Sequence, residues 1–278
     1  MFIIYVFCVT LYEEKQRSGF YMTNYQKIAV YDSGVGGLLV LEDLVKHFPN
    51  QDFIYLGDTL NNPYGTKTEE QLIGIIEKNL AYLEKQNVDA ILIACNTASI
   101  APIHMEPKVR VFRIVNQTIK RANVYSKPTL ILATDYTISK QVYQNQIPSS
   151  IGVGCSCFVE LVEKNLIHTP YAKELVYQKL KPYRGKAEAI ILGCTHFGLL
   201  KDLIEEVLGD VIIIDSAHSL TPLLSSSQII NPDKDHKGHI VVQTTGEIEE
   251  LNASWLSIKI DHYEKVVIND IRERKTLC

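Results

Sequence analysis

The chain has 278 residues, which is enough for one large domain or two of ordinary size. Hydrophobic residues make up 46% of the chain and charged residues 22%, so the composition supports a packed core and excludes a mainly disordered protein. With 28 Lys and Arg against 32 Asp and Glu, the net charge is −4 and there is no dense basic run. Nucleic acid is therefore not expected as the main partner.

The first residues form an apolar stretch that is followed by a charged segment. Met1–Tyr12 is much shorter than the roughly 20 residues that span a bilayer. No positive residue precedes this stretch, and no small-residue cleavage pattern follows it. We interpret residues 1–21 as a leader upstream of a natural start at Met22, and we expect no membrane partner.

Short apolar runs alternate with helical periodicity along the first part of the chain. A helix is predicted over 38–47, and a capping box formed by Thr68 and Gln71 opens a second helix that extends to about residue 86. This alternation predicts an α/β fold with mainly parallel sheets. The predicted strands are Lys27–Tyr31, Phe53–Leu56 and Ala90–Ile93.

The same pattern starts again in the second part of the chain. Strands are predicted at Thr129–Ala133 and Ala189–Leu192, and the second runs into Gly193–His196. That ending is similar to Ala94–Thr97, which follows the strand at Ala90–Ile93. We infer a weak internal repeat of about 100 residues. Chance similarity between short Ile/Leu strands is the alternative explanation.

Two late strands, at 239–243 and 265–268, are expected to complete the first half because too few residues remain for a third domain. The prediction is therefore a first α/β domain formed by 22–118 together with 217–278, and a second formed by 119–216.

Two cysteines occupy similar positions in the two halves. Cys95 lies between a predicted strand and helix, where the first helix amides are expected to lower the pKa of its thiol. Asn96 and Thr97 add donors suited to a carboxylate. A buried core cysteine is the alternative for a single thiol, but Cys194 repeats the arrangement, with His196 as a proton partner. The pair favours a functional role.

Three further motifs have both structural and functional interpretations. Asp32–Gly37 is neither a dinucleotide fingerprint nor a Walker loop, and Asp32 is suited to assist acid–base chemistry. Asp58 can equally be a turn cap. Asn62–Gly65 is a predicted turn that can also present amides and a phenol to a small ligand, whereas Glu163 is by default a solvated helix position.

The remaining cysteines indicate neither a disulfide framework nor a zinc site. The six cysteines contain no Cys-x-x-Cys pair, and the Cys155-x-Cys157 pair has no second ligand pair nearby. We expect a reducing cytoplasm and no bound metal.

Taken together and in this order, the motifs resemble those of the glutamate racemase family from about Lys27 onward. The resemblance implies a cofactor-independent racemase that makes D-glutamate for bacterial peptidoglycan and usually forms homodimers. It also implies two pseudosymmetric α/β domains with the active site in the cleft between them. The matching motifs are Asp32–Gly37, Pro63–Gly65, Ala94–Ala98 and Leu192–His196.

The resemblance also implies roles for individual residues. The two catalytic thiols fall on Cys95 and Cys194. The assisting residues fall on Asp32, Asp58, Glu163 and His196. Substrate contacts fall on Asp32, Ser33, Pro63, Tyr64, Gly65, Asn96, Thr97, Thr137, Thr195 and His196.

The chain departs from the family pattern at two places in these segments. Family members usually have Tyr-Pro where this chain has Phe197-Gly198, and Cys-Pro where it has Cys155-Ser156. The C-terminal stretch is a loose match, and residues 1–21 have no counterpart.

Racemisation requires removal of a weakly acidic α-hydrogen from one face and protonation on the other, which two opposed thiols can perform. We therefore hypothesise reciprocal acid–base roles for Cys95 and Cys194. The alternatives are a racemase for aspartate or another amino acid and a non-catalytic amino-acid-binding relative. A hydrolase fits less well because its chemistry gives the second cysteine no role.

Overall fold

The computed structural model describes residues 27–227, 229–251 and 256–268. The leader at 1–21 and the start at Met22 lie outside these ranges, as do Cys8 and Cys278. Within the described ranges, the helices are too short or too polar to cross a membrane.

The first sheet has six strands in the order β10-β9-β2-β1-β3-β4, and every neighbouring pair is parallel. Its central strands are apolar on both faces because helices cover both sides of the sheet. The strands are β1 (Lys27–Asp32), β2 (Asp52–Gly57), β3 (Ala90–Ile93), β4 (Arg110–Arg113), β9 (Ile240–Thr244) and β10 (His262–Lys265).

The second sheet has four strands in the order β6-β5-β7-β8, again with parallel pairing throughout. The predicted α/β class with mainly parallel sheets is therefore confirmed. The second sheet is formed from one continuous stretch of chain, whereas the first takes strands from both sides of it. The division into domains at 118 and 217 stays a prediction. The strands are β5 (Thr129–Ala133), β6 (Ser150–Gly154), β7 (Ala189–Gly193) and β8 (Ile212–Asp215).

The last strand differs from its prediction. The strand predicted at 265–268 is wrong, because β10 ends at Lys265. β10 pairs with β9 from His262, opposite Val241, to Lys265, opposite Thr244. The apolar residues that suggested a strand therefore lie just after its last paired residue. β10 is an edge strand with mostly exposed polar residues, which gives no apolar pattern.

Two helices begin and end as the sequence indicates. The first is predicted over 38–47 and occupies Gly37–His47. In the second, the Thr68 Oγ1 accepts from the Gln71 amide at 3.2 Å, and the Gln71 side chain accepts from the Thr68 amide at 3.0 Å. The helices are α1 (Gly37–His47), α2 (Glu69–Glu84), α3 (Asn96–Ile100), α4 (Ile114–Tyr125), α5 (Asp135–Ser139), α6 (Ser156–Glu163), α7 (Pro170–Leu180), α8 (Lys201–Leu208) and α9 (Thr221–Ser225).

The carboxyl ends of the two sheets lie against each other. Side chains that follow the strands form hydrogen bonds across this junction, from Thr195 to Asp32 at 3.1 Å and between Thr97 and Thr134 at 3.0 Å. Open α/β sheets bind ligands at the carboxyl ends of their strands, so the junction is where the fold places a site.

The capping box of α2 gives a test of the local structure. Replacing Thr68 with alanine removes the acceptor for the Gln71 amide, and we expect it to lower the free energy of unfolding by about 1 kcal/mol. Thr68→Ser keeps the acceptor and is the matched control. Urea denaturation of both variants measures the difference, and equal stabilities would show that the cap does not contribute.

Candidate active site

A cavity of about 160 Å³ lies at the junction of the two sheets. Its volume is below the roughly 300–1,000 Å³ of pockets for drug-sized ligands, so it fits a small molecule. Both candidate thiols, Cys95 and Cys194, line it. The other lining residues are Ser33, Asn62, Pro63, Tyr64, Gly65, Thr66, Asn96, Thr97, Thr134, Ser156, Cys157, Val159, Glu160, Thr195 and His196.

Cys95 is held at the end of β3 by the neighbouring strand. The backbone amides of Ala94 and Cys95 both donate to the carbonyl of Tyr31 in β1, at 2.8 and 3.4 Å. The Sγ of Cys95 donates to the Ser33 hydroxyl at 3.5 Å. These bonds fix the thiol at the cavity wall, where the residue is only 5% exposed.

The expectation of a lowered pKa at Cys95 is wrong. Burial raises the pKa of the Cys95 thiol well above its ordinary value, and the carboxylate of Asp32 raises it further. Hydrogen bonding from the Ala98 amide and from Ser33 acts in the opposite direction but does not offset burial. In the unliganded site, Cys95 is therefore held as the protonated thiol.

Cys194 lies in a different environment at the end of β7. Its Sγ is 3.6 Å from Nδ1 of His196, and Nε2 of that ring is 2.5 Å from the Glu163 carboxylate. Burial opposes protonation of His196, but its bonds to Cys194 and Glu163 raise its pKa well above the ordinary value. Burial likewise opposes ionisation of Glu163, yet the bond to His196 lowers the pKa of that carboxyl. Together these shifts favour a positive imidazolium next to the Cys194 sulfur.

Asp32 joins the two halves of the site. It is fully buried, and its Oδ1 accepts from the Gly34 amide at 3.0 Å. Its Oδ2 accepts from the Thr195 hydroxyl at 3.1 Å. Burial raises the pKa of Asp32 to about 6, although His196 and the two hydrogen bonds lower it. Asp32 is therefore mostly ionised at neutral pH and titrates within the physiological range.

The glycines after Asp32 lie in close contact with residues that belong to the second sheet and its helices. A Cβ at Gly34 would lie 2.5 Å from a Glu163 carboxylate oxygen. A Cβ at Gly36 would lie 2.5 Å from the Thr195 hydroxyl and 2.8 Å from the His196 amide. The loop uses these glycines because only a residue without a side chain lets the two halves approach this closely.

Most of the predicted substrate contacts lie at the cavity, but four of the predicted site residues, Asp32, Asp58, Thr137 and Glu163, do not line it. Asp32 and Glu163 reach it through their bonds to Thr195 and His196. Thr137 lies one layer behind, where its hydroxyl contacts those of Thr97 and Thr134. Asp58 lies behind Tyr64, whose hydroxyl donates to it at 2.5 Å. The cavity residues among the predicted contacts are Ser33, Pro63, Tyr64, Gly65, Asn96, Thr97, Thr195 and His196.

Asp58 belongs to a buried polar cluster. Its carboxylate accepts from Asn79 at 2.9 Å, from Asn61 at 3.0 Å and from Thr245 at 2.6 Å, in addition to Tyr64. All of these hydrogen bonds to the carboxylate come from neighbouring protein side chains. Its contacts indicate that it supports the position of Tyr64.

Sequence reasoning missed one wall of the cavity, formed by α6. Four of its residues, Ser156, Cys157, Val159 and Glu160, line the cavity. They precede Glu163 by three to seven positions, so Ser156, Val159 and Glu160 share its side of the helix. Helical periodicity applied backwards from Glu163 would have found these three residues, but not Cys157. Among the described lining residues, Lys and Arg are absent, so hydroxyls, amides and His196 provide the donors for an acidic ligand.

Comparison with known proteins places this site in a family. Residues 58–224 match the family model for Asp/Glu/Hydantoin racemase. The chain belongs to this family. Glutamate racemase from Lactococcus lactis subsp. cremoris (strain SK11) is 30% identical over 266 residues, covering 89% of this chain and 98% of that protein. The enzyme from Aquifex pyrophilus is 35% identical over 216 residues, covering 74% and 84% of the two chains.

Solved structures of the family share this architecture. Glutamate racemase from Thermus thermophilus, in complex with β-chloro-D-alanine, has a TM-score of 0.80 and 31% identity over 90% of this chain and all of that one. The Francisella tularensis enzyme, in complex with D-glutamate, has a TM-score of 0.79 and 27% identity, covering 89% and 99%. The resemblance predicted from the motifs is confirmed, and the protein is an amino-acid racemase.

The raised pKa of Asp32 predicts a pH-dependent stability. A carboxyl whose pKa is higher in the folded state stabilises the fold below its unfolded pKa, about 3.9, and this contribution is lost as pH rises through the folded pKa of about 6. Asp32→Asn removes the titration. We therefore expect wild-type protein to lose about 1 to 2 kcal/mol of unfolding free energy relative to the variant between about pH 5 and about pH 8.

Urea denaturation of both proteins across this range measures the change. Asp52→Asn, which alters a carboxylate remote from the cavity, is the control for a general effect of charge removal. A difference between wild type and Asp32→Asn that does not vary with pH would contradict the raised pKa.

Proposed function

We propose that the protein interconverts L-glutamate and D-glutamate by proton transfer at Cα between two thiols, without a cofactor. The observation that carries this proposal is that Cys95 and Cys194, each at the end of a strand in a different sheet, line one small cavity. A carbon atom bound between them has one sulfur available on each face. Such an arrangement is what a two-base racemisation needs.

The proton transfers balance without any other reactant. One cysteine, as the thiolate, takes the α-hydrogen as a proton, and the electron pair stays on the substrate as a carbanion. The other cysteine, as the thiol, gives its proton to the opposite face. The product leaves the two cysteines in exchanged protonation states, and the reverse reaction returns them.

The two thiols start this cycle from different environments. Burial and Asp32 keep Cys95 protonated, whereas the His196 imidazolium lies 3.6 Å from Cys194, where it stabilises negative charge on sulfur. We therefore propose that Cys95 starts as the thiol, and that Cys194 acts as the first base because the imidazolium next to it stabilises the thiolate when it forms. Glu163 acts through His196 by keeping the ring charged.

The polar groups near the thiols suit an amino-acid substrate. Asn96, Thr97 and Thr195 follow the two cysteines and line the cavity, so their donors can bind the α-carboxylate of the substrate. His196 after Cys194-Thr195, together with the Pro63–Gly65 turn, favours glutamate over aspartate by resemblance to the family. We further propose that the product supplies peptidoglycan synthesis in the cytoplasm, and that the protein acts as a homodimer.

Incubating the purified protein with L-glutamate in D₂O tests the proposal. We expect inversion of configuration with deuterium entering at Cα, and no dependence on added cofactor. Cys95→Ser and Cys194→Ser should each lower kcat by roughly 10²–10⁴-fold, because a hydroxyl is a much weaker base than a thiolate. Retention of near wild-type rates in either variant would contradict the two-thiol mechanism.

Two comparisons make this experiment specific. Cys155→Ala removes a buried thiol that follows β6 and lies outside the cavity lining, and it should keep wild-type kcat. Assays with aspartate under the same conditions should show a much lower kcat/KM than with glutamate. Faster turnover of aspartate would assign the protein to the alternative substrate, and binding without deuterium exchange would indicate a non-catalytic relative.

A further inference from the structure

Tyr143 is a buried residue between α5 and β6 that contacts both cysteine-bearing loops. It is completely inaccessible to solvent. Its hydroxyl donates to the Oδ1 of Asn96 at 2.6 Å, next to Cys95. Its ring lies under Gly193, where an added Cβ would be 3.3 Å from Cε2, and Gly193 precedes Cys194. One side chain therefore supports the loops that carry the two thiols.

The hydroxyl of Tyr143 also determines how the Asn96 amide is oriented. Burial raises the pKa of the Tyr143 phenol, so it keeps its proton, although a hydrogen bond with Thr118 lowers that pKa. The proton is donated to the Asn96 Oδ1. A donor at this position requires the oxygen of the amide to face Tyr143 and the nitrogen to face away. The nitrogen then donates to the Ser216 hydroxyl at 3.1 Å.

An amide nitrogen carries two hydrogens, and Ser216 uses only one of them. Asn96 lines the cavity, so the second N–H is available to an acceptor there. Rotating the amide by 180° would turn its oxygen towards the cavity and repel a carboxylate. The two orientations have nearly the same shape, so packing alone does not select between them.

We propose that Tyr143 is a positioning residue for the racemase reaction, which fixes the Asn96 amide with an N–H directed at the substrate carboxylate. This inference rests on the proposed function, in which Asn96 binds that group. Tyr143 does not line the cavity, and its hydroxyl acts on the substrate through Asn96.

Replacing Tyr143 with phenylalanine keeps the ring under Gly193 and removes only the hydroxyl. We expect KM for both enantiomers of glutamate to rise about tenfold, while kcat changes by less than about threefold, because a contact with the carboxylate is kept in both the ground state and the transition state. A merely structural disturbance of the Cys194 loop would instead lower kcat. Tyr82→Phe is the matched control, because Tyr82 is partly buried, bonds to Gln243 and lies outside the cavity lining.

A double-mutant cycle with Asn96→Ala tests whether Tyr143 acts through Asn96. Asn96→Ala alone should raise KM by at least as much as Tyr143→Phe. In the Asn96→Ala background, Tyr143→Phe should then have no further effect on KM. Additive effects of the two changes would overturn the positioning role, as would an unchanged KM in Tyr143→Phe.

The single variants separate this inference from the proposed function. Absence of glutamate turnover in the wild-type protein would overturn the proposed function and this inference with it. Normal turnover with an unchanged KM in Asn96→Ala would leave the two-thiol mechanism intact and remove both the Asn96 contact and the role of Tyr143. Thermal unfolding midpoints of all variants confirm that the comparison is made between folded proteins.

Discussion

The site depends on the meeting of two parallel sheets at their carboxyl ends. In a parallel sheet all strands end at the same edge, so each sheet presents its polar strand-end residues together. When two such edges face each other, a residue from each can approach one ligand from opposite sides. The hydrogen bond from Thr195 to Asp32 joins the edges directly, and the cavity with its two thiols lies beside it.

Neighbouring charged groups make the environments of the two thiols different, although both residues are buried and their positions in the chain are similar. Cys95 shares its surroundings with the buried Asp32 carboxylate, which disfavours a second negative charge. Cys194 has an imidazole at hydrogen-bond distance, and Glu163 holds that ring in its charged form. A reaction that moves a proton from one side of a carbon to the other begins with one base and one acid. In the proposed mechanism, these surroundings favour Cys95 as the acid and Cys194 as the base.

The buried strands could be predicted from the sequence, whereas the edge strands could not. β1 and β3 are apolar on both faces, and their predicted bounds are close to those observed. The edge strands Arg110–Arg113 and His262–Lys265 carry polar residues, which are half-buried in the first strand and mostly exposed in the second, so hydrophobic patterning gave no signal for them.

Within the site, motifs identified both thiols and many of the other residues that line the cavity, but they could not give the pKa values of these groups. The pKa of Cys95 depends on the depth of burial and on Asp32, which lies 63 positions away in the chain, and helix position alone predicted the opposite direction. Tyr143 belongs to no motif. Only the folded chain brings its hydroxyl to Asn96.

The close contact between the Asp32–Gly37 loop and the loop that carries Cys194 also limits which substitutions the protein can accept. At Gly36, even one methyl group would have to displace both a side chain and the backbone of the loop that carries Cys194. Such a methyl group would push the loop that carries Cys194 away from the first sheet, although it would remove none of the reactive groups. In the proposed reaction, the distance from each sulfur to the substrate carbon therefore depends on Gly36, a position that takes no part in the chemistry.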